Sequence, residues 1–255
     1  METLKIALLQ SDLHWEDPQS NRDMFSKQIA TIPRDIDLIV LPEMFTTGFT
    51  MNPEHISPKE SAKTLAWMQH WAAEKDAAMV GSMVYKDVAV WYNRLYFVHP
   101  NGVSSYDKKH TFTLAGEDRV YKAGASKLIV EWRGFRLCPL ICYDLRFPVW
   151  SRYNNDYDVL LYVANWPQPR INAWDALLRA RAIENMAYCI GVNRYGEDAS
   201  GHKYPGHSAV YDALGNTSVF SSSPGISYAT LSKAALLETR NKLRFLEDRD
   251  AFNFV

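Results

Sequence analysis

Three side chains far apart in the chain are of types that together could carry out acyl transfer. Cys142 sits in LICYDLRFPVW (140–150), where an apolar run gives way to Tyr143, Asp144 and Arg146. Glu43 ends DLIVLPE (37–43), and Lys108 follows the run VSSYD (103–107). A cysteine attacks as its thiolate and needs a nearby base or positive charge to form one. Local context leaves Cys142 open between two readings. Free cysteine is among the most commonly buried residue types, yet the end of a buried strand is where α/β proteins place their sites. Cys138 and Cys189 keep the buried reading. Of the seven histidines, His110 or His207 could serve a Cys-His dyad, but neither has a distinctive context. Taken alone, Glu43 also reads as a solvated loop carboxylate, and Lys108, beside Lys109, as a charge on a wet edge. What the three share is position: each is a polar residue just past an apolar strand, so a sheet could bring them together.

The elements that must do this can be traced along the chain. LKIALLQ (4–10) reads as a strand, followed by a helix capped by Asp17 with Pro18 in its first turn and Phe25, Ile29 and Ile32 at helical spacing. DLIVLPE is almost continuously apolar, as in strands covered on both faces. Ser57, Pro58 and Glu60 predict a capping box ahead of a helix with Leu65, Met68 and Ala72 on its apolar stripe. AAMVGSMVY (77–85), WYNRLYFVHP (91–100) and VSSYDKK (103–109) predict an antiparallel middle section. KLIVEW (127–132), Arg133-Gly134 and FRLCPLICY (135–143) predict a hairpin that delivers Cys142 to the end of its second strand. DVLLYVANW (158–166) is a strand, and RINAWDALLRARAIEN (170–185) has the pattern of a surface helix on a sheet. MAYCIGVNR (186–194), HSAVYDALGN (207–216) and ISYATLS (226–232) complete the strands. Helices alternating with strands and hairpins imply a mixed α/β sheet with helices covering one face, and two such layers make a sandwich. With no repeats or linker-like stretches, residues 1–255 are expected to form a single domain.

Composition narrows the function classes. The chain has 255 residues, 47% hydrophobic and 22% charged, with a net charge of −1, so there is no basic surplus for a phosphate backbone and nucleic acid is not an expected partner. No segment approaches the ~18 apolar residues of a membrane span, and the N-terminus lacks a signal-peptide pattern, so a cytoplasmic location is expected. Three cysteines fit no disulfide framework, and the Cys138/Cys142 spacing does not match common zinc patterns; no metal is expected.

LPEMF around Glu43, YDKKHTF around Lys108 and PLICYDLRFP around Cys142 resemble, in order, the three signature segments of the nitrilase superfamily of carbon-nitrogen hydrolases. GEDRVYKAG (116–124), YVANWP (162–167) and ARAIEN (180–185) support the resemblance, which runs to about Leu231. It implies a four-layer α-β-β-α sandwich and a catalytic triad of Glu43, Lys108 and Cys142, with Glu117 as a second glutamate near the site. Lys108 rather than Lys109 matches the family lysine, two residues before His110; Thr111 departs from the leucine common there. In the implied chemistry Glu43 takes the Cys142 proton, and Lys108 with the Tyr143 backbone N–H holds the oxyanion. The segments around Cys142 look most similar to the omega-amidase branch, which acts on small amides such as 2-oxoglutaramate, 2-oxosuccinamate and succinamate. Arg146 is then the candidate for the substrate carboxylate, its other reading being a structural ion pair, and Phe45, Trp166 and His207 are candidates for the pocket wall. The alternatives are a carbamoylase or other small-amide hydrolase with the same triad, and a non-catalytic scaffold. The resemblance also implies a homodimer and no metal or organic cofactor. Nitrile hydrolysis is disfavoured because Tyr143-Asp144 replaces the Trp-Glu that follows the nitrilase cysteine.

Overall fold

The first strand, β1 (Thr3–Gln10), sends Leu4, Ile6 and Leu8 into one buried core and Ala7 and Leu9 into another. That period-2 division means both faces of its sheet are covered, which is why the strand reads as a continuous apolar run. The computed structural model describes residues 2–154 and 157–252. After α1 (Pro18–Thr31), β2 (Leu38–Val40) and α2 (Glu60–Lys75) come β3 (Ala78–Asp87), β4 (Val90–His99) and β5 (Gly102–Asp107). A short α3 (Glu117–Val120) leads to β6 (Val130–Trp132) and β7 (Phe135–Ile141), and a short α4 (Pro148–Ser151) to β8 (Val159–Ala164). Then follow α5 (Ile171–Asn185), β9 (Tyr188–Asn193), β10 (Tyr195–Glu197), β11 (Lys203–Pro205), β12 (Ser208–Tyr211), β13 (Thr217–Ser221), β14 (Gly225–Ser232) and α6 (Lys233–Leu243).

Two six-stranded sheets result, ordered β14-β1-β2-β3-β4-β5 and β13-β12-β9-β8-β7-β6. Phe25 and Ile29 of α1 and Met68 and Ala72 of α2 pack with the outer-face residues of the first sheet. Trp174, Leu178 and Ala182 of α5 join the core that contains the second sheet, giving the expected α-β-β-α sandwich. The parallel pairs β1–β2 and β2–β3 are joined through α1 and α2, the connections that parallel strands require. The chain then turns back through β4 and forward again through β5, both antiparallel to their neighbours. So β5 points the same way as β2, and the residues after each strand emerge at one end of the sheet.

The local chemistry follows the sequence at most junctions. Asp17 caps α1 by accepting the Ser20 N–H at 3.0 Å, with Pro18 at its start. Arg133 (φ 48°) and Gly134 (φ 79°) form the β6–β7 turn, the left-handed pair that a two-residue hairpin needs. The capping box expected before α2 does not form: Lys59 occupies the cap position and Glu60 begins the helix. The Glu60 carboxylate instead pairs with Arg22 Nη1 at 2.8 Å and Lys63 Nζ at 2.7 Å, a stronger use of its charge than the Ser57 amide. The sequence reading did not foresee β10, β11, β13 or α6. The first two have three residues each, too few for a period, whereas α6 carries a readable cap in Ser232, which accepts the Ala235 N–H at 3.2 Å. Among the described residues no helix is long and apolar enough to cross a membrane.

Candidate active site

Each residue singled out at a strand end is locked by local bonds. After β2, the turn carrying Glu43 is clipped to β3: Leu41 N–H donates to Val80 O (2.7 Å), Met44 N–H to Ser82 Oγ (2.9 Å) and Phe45 N–H to Ser82 O (3.1 Å). Lys108 is held through its main chain, donating to Asn93 O at 3.0 Å and accepting Gly124 N–H at 2.8 Å. Gly124 is required there, because a Cβ would lie 2.1 Å from Asp107 O. Cys142 opens a 3-10 turn (Cys142–Arg146) directly after β7, with φ 43°, a strained value for a non-glycine residue. Asp144 braces that turn, accepting from Ile141 N–H (3.0 Å), Tyr106 OH (2.7 Å) and His110 N–H (3.0 Å), with His110 Nδ1 2.8 Å away. His110 therefore holds the loop that carries Cys142, not the thiol, and the Cys-His dyad with His110 is not formed.

The structure brings Glu43, Lys108, Cys142 and Glu117 together. Lys108 Nζ lies 2.8 Å from Glu43 Oε1 and 2.9 and 3.0 Å from the two oxygens of Glu117. Asn93 Nδ2 donates to both carboxylates, at 2.8 Å to Glu43 and 3.2 Å to Glu117. Asn165 N–H donates to Glu43 Oε2 at 2.8 Å and its side chain to Glu43 O at 2.5 Å, while Phe112 N–H donates to Glu117 Oε2 at 2.6 Å. Glu43, Lys108 and Glu117 are all essentially inaccessible to solvent. Burial opposes the Lys108 charge, but the carboxylates of Glu117 and Glu43 outweigh it and raise its pKa, so the ammonium is secure. Burial raises Glu117 above the usual carboxylate range despite Lys108. Burial, then the Glu43 carboxylate, push the Cys142 thiol well above its ordinary value, and its Sγ lies 4.0 Å from Asn165 O. The resting sulfur is thus a thiol beside an acceptor, and it can ionise only as its proton is handed on.

Cys142 and Lys108 line a cavity of about 350 Å³, with Tyr143, Arg146 and Trp166 on its wall. The Arg146 guanidinium lies 4.8 Å over the Trp166 ring and has no ion pair among the described residues. Two expected wall residues lie elsewhere. Phe45 is fully buried on the α1/α2 side of the first sheet, 5.7 Å from the Phe25 ring and 5.8 Å from Trp67, over Gly81, where a Cβ would meet its ring at 2.8 Å. Glu43, two residues earlier, faces the site, and the turn between them sends the Phe45 side chain to the other side. His207 is paired with Asp175 of α5 at 2.9 Å, away from the cavity, and so serves neither as wall nor as partner of Cys142. Sequence reasoning missed Asn93, Asn165 and Arg170. Asn93 lay inside a segment read only as a strand, and Asn165 inside one read as a strand and as support for the resemblance; an amide in the buried run YVANWP was a usable signal, since a buried polar side chain needs a partner. The β10–β11 hairpin also reaches the cavity through Asp198, Ser200, His202 and Tyr204. Among the described residues no group of three or more His, Cys, Asp or Glu side chains could hold a metal ion.

A two-sheet sandwich with a strand-end cysteine beside a buried lysine and two glutamates defines a class of protein, and residues 5–241 match the carbon-nitrogen hydrolase family. The chain belongs to that family, in the nitrilase superfamily. It is 45% identical to an omega-amidase, YafV, of Yersinia enterocolitica, over 99% of each chain. It is 32% identical to a 2-oxoglutaramate amidase of Bacillus subtilis (strain 168), covering 82% of this chain and 83% of that one. Among solved structures, XC1258 of Xanthomonas campestris, a CN-hydrolase superfamily protein crystallised with an arsenic adduct in its active site, superposes with a TM-score of 0.96 at 38% identity over 100% of both chains.

Proposed function

We propose that this protein is an omega-amidase, hydrolysing the terminal amide of short dicarboxylate monoamides to the acid and ammonia. One observation carries the reading: Cys142 meets the Glu43–Lys108–Glu117 cluster at a cavity of small-metabolite size, about 350 Å³, whose wall holds an arginine with no ion pair among the described residues. The amidases named above support it.

Glu43 takes the thiol proton as Cys142 Sγ bonds to the amide carbon, so no free thiolate has to exist in a site that disfavours it. The carbonyl π pair moves to oxygen. Lys108 gives one proton to Glu43 and shares a second between the two oxygens of Glu117, so its third is turned to that oxyanion. Tyr143 supplies the second donor, since the first amides of a helical turn have no partner within it. Collapse of the intermediate expels nitrogen as ammonia with the proton from Glu43, leaving a thioester. Glu43 then removes a proton from water as it attacks, and the proton returns to sulfur as the acid leaves. Asn93 and Asn165 hold Glu43 through both steps, Glu117 orients Lys108, and Arg146 forks onto the distal carboxylate, with the Trp166 ring fixing its plane.

We further place the enzyme in the cytoplasm as a single-domain homodimer that works without metal or cofactor and binds no nucleic acid. The exposed Val149 of α4 and Ile183 of α5, both on helices near the nucleophile, are suited to the dimer face. The test is ammonia release from 2-oxoglutaramate, succinamate, glutamine and an N-carbamoyl amino acid, each beside Cys142→Ala. Turnover concentrated on the first two and lost in the variant is the expected result. Preference for the carbamoyl compound would remove the dicarboxylate assignment.

A further inference from the structure

Arg170 is a second arginine on the cavity wall, and the fold gives no other account of it. It occupies the cap position of α5, where its positive charge opposes the positive end of the helix dipole. Ser, Thr, Asp or Asn would stabilise that position, and the first turn of α5 contains no acidic residue to compensate. Its guanidinium lies 5.1 Å over the Phe112 ring and, like Arg146, makes no ion pair or side-chain hydrogen bond among the described residues. The cavity's own carboxylate, Asp198, is not a partner for either arginine. It accepts Tyr204 OH at 2.7 Å and the amides of Ser200 and His202 at 2.9 and 3.0 Å.

The two arginines are mechanically tied. Trp166, on which Arg146 stacks, donates its Nε1–H to Arg170 O at 2.7 Å. Phe112, under Arg170, packs against Tyr143 at 4.9 Å between ring centroids, and Phe112 N–H is the donor to Glu117. Each guanidinium therefore rests on an aromatic ring of the cavity wall, and a ligand that enters breaks no ion pair to reach it. A guanidinium prefers a planar anion, and two of them on one wall can grip more than one oxygen pair.

We propose that Arg170 is a specificity-determining residue that, with Arg146, forms a two-point clamp on the carboxylate end of the substrate. The inference rests on the dicarboxylate-monoamide reading given above and adds the second cation. A substrate carboxylate engages both arginines through its two oxygens; a neutral amide engages neither.

The experiment compares kcat/KM for succinamate and for butyramide, which carries a methyl group in place of the succinamate carboxylate, in wild type, Arg170→Met and Arg170→Lys. In wild type succinamate is expected to be strongly favoured. In Arg170→Met the succinamate-to-butyramide ratio should fall by about tenfold to a hundredfold, the worth of a charge-assisted hydrogen bond. Arg170→Lys, which keeps the charge without the fork, should fall between and provides the reading should the methionine variant not fold. A strong wild-type preference left unchanged in both variants overturns the clamp while the dicarboxylate reading stands. A wild-type ratio near one overturns the dicarboxylate reading itself, and the clamp with it.

Discussion

Asn93→Leu is the sharpest test of how the cluster is held. Asn93 lies on β4, 1% exposed, and its Nδ2 is shared between Glu43 Oε1 at 2.8 Å and Glu117 Oε1 at 3.2 Å. Its Oδ1 has no partner among the described residues, so the substitution removes only donors, and leucine is close enough in volume to leave little cavity. The main-chain bond from Lys108 N–H to Asn93 O at 3.0 Å persists, so Lys108 stays in place. Two buried carboxylates then share one ammonium without the neutral donor between them. The shorter bond to an ionised group is worth ~1.5–3 kcal/mol and the longer one less, so a stability loss of about 2–4 kcal/mol is expected. The catalytic effect has a different origin. Glu43 Oε1 keeps only Lys108, the carboxylate can turn away from the thiol, and a misplacement of about 1 Å costs on the order of 10² in rate. Steady-state ammonia release should show kcat about a hundredfold lower with KM little changed, and urea unfolding should report the stability loss. A folded Asn93→Leu enzyme with kcat within about threefold of wild type would refute the positioning argument. A raised KM at unchanged kcat would move Asn93 from the reacting group to substrate binding.

Two further outcomes follow from the same geometry. Phe45→Ala should cost ~3–5 kcal/mol in chemical unfolding, because the ring is fully buried against Phe25 and Trp67, while KM of the folded fraction stays near wild type; a large KM change would return Phe45 to the pocket. Alkaline pH should destabilise the wild type more than Cys142→Ala. The folded thiol is held well above its ordinary value by burial and by Glu43, so its contribution is complete below the unfolded thiol value, near 9.0, and is lost as pH rises above that. The stability difference between the two proteins should shift against the wild type between about pH 8 and 10, by at most ~1.4 kcal/mol per pH unit, and a difference flat over that range would contradict the burial argument.

Much of this architecture was legible in the chain because the signals are local. Asp17-Pro18 caps a helix, Arg133-Gly134 turns a hairpin, and Glu43, Lys108 and Cys142 each stand where an apolar run stops, all properties of a few consecutive residues. The motif order carried the triad and Glu117 as candidates and the two-sheet sandwich as an expectation. The wall of the cavity was not legible. Phe45 and His207 share residue type with true lining groups, but a single turn after Glu43 sends Phe45 to the α1/α2 core, and His207 is claimed by Asp175 thirty-two residues before it in the chain. Asn93 and Asn165 touch Glu43 from 50 and 122 residues away, across two sheets, and no period or cap records such a contact. Arg170 looked like one arginine among several on an amphipathic helix until the fold left it on the cavity wall with no ion pair among the described residues. The sequence by itself determined where strands end and which reactive side chains stand there, since backbone propensity and hydrophobic pattern act over a few residues. Only the tertiary structure decided which polar groups share a buried volume, because that is set by how two sheets register against each other, and desolvation makes each such pairing count.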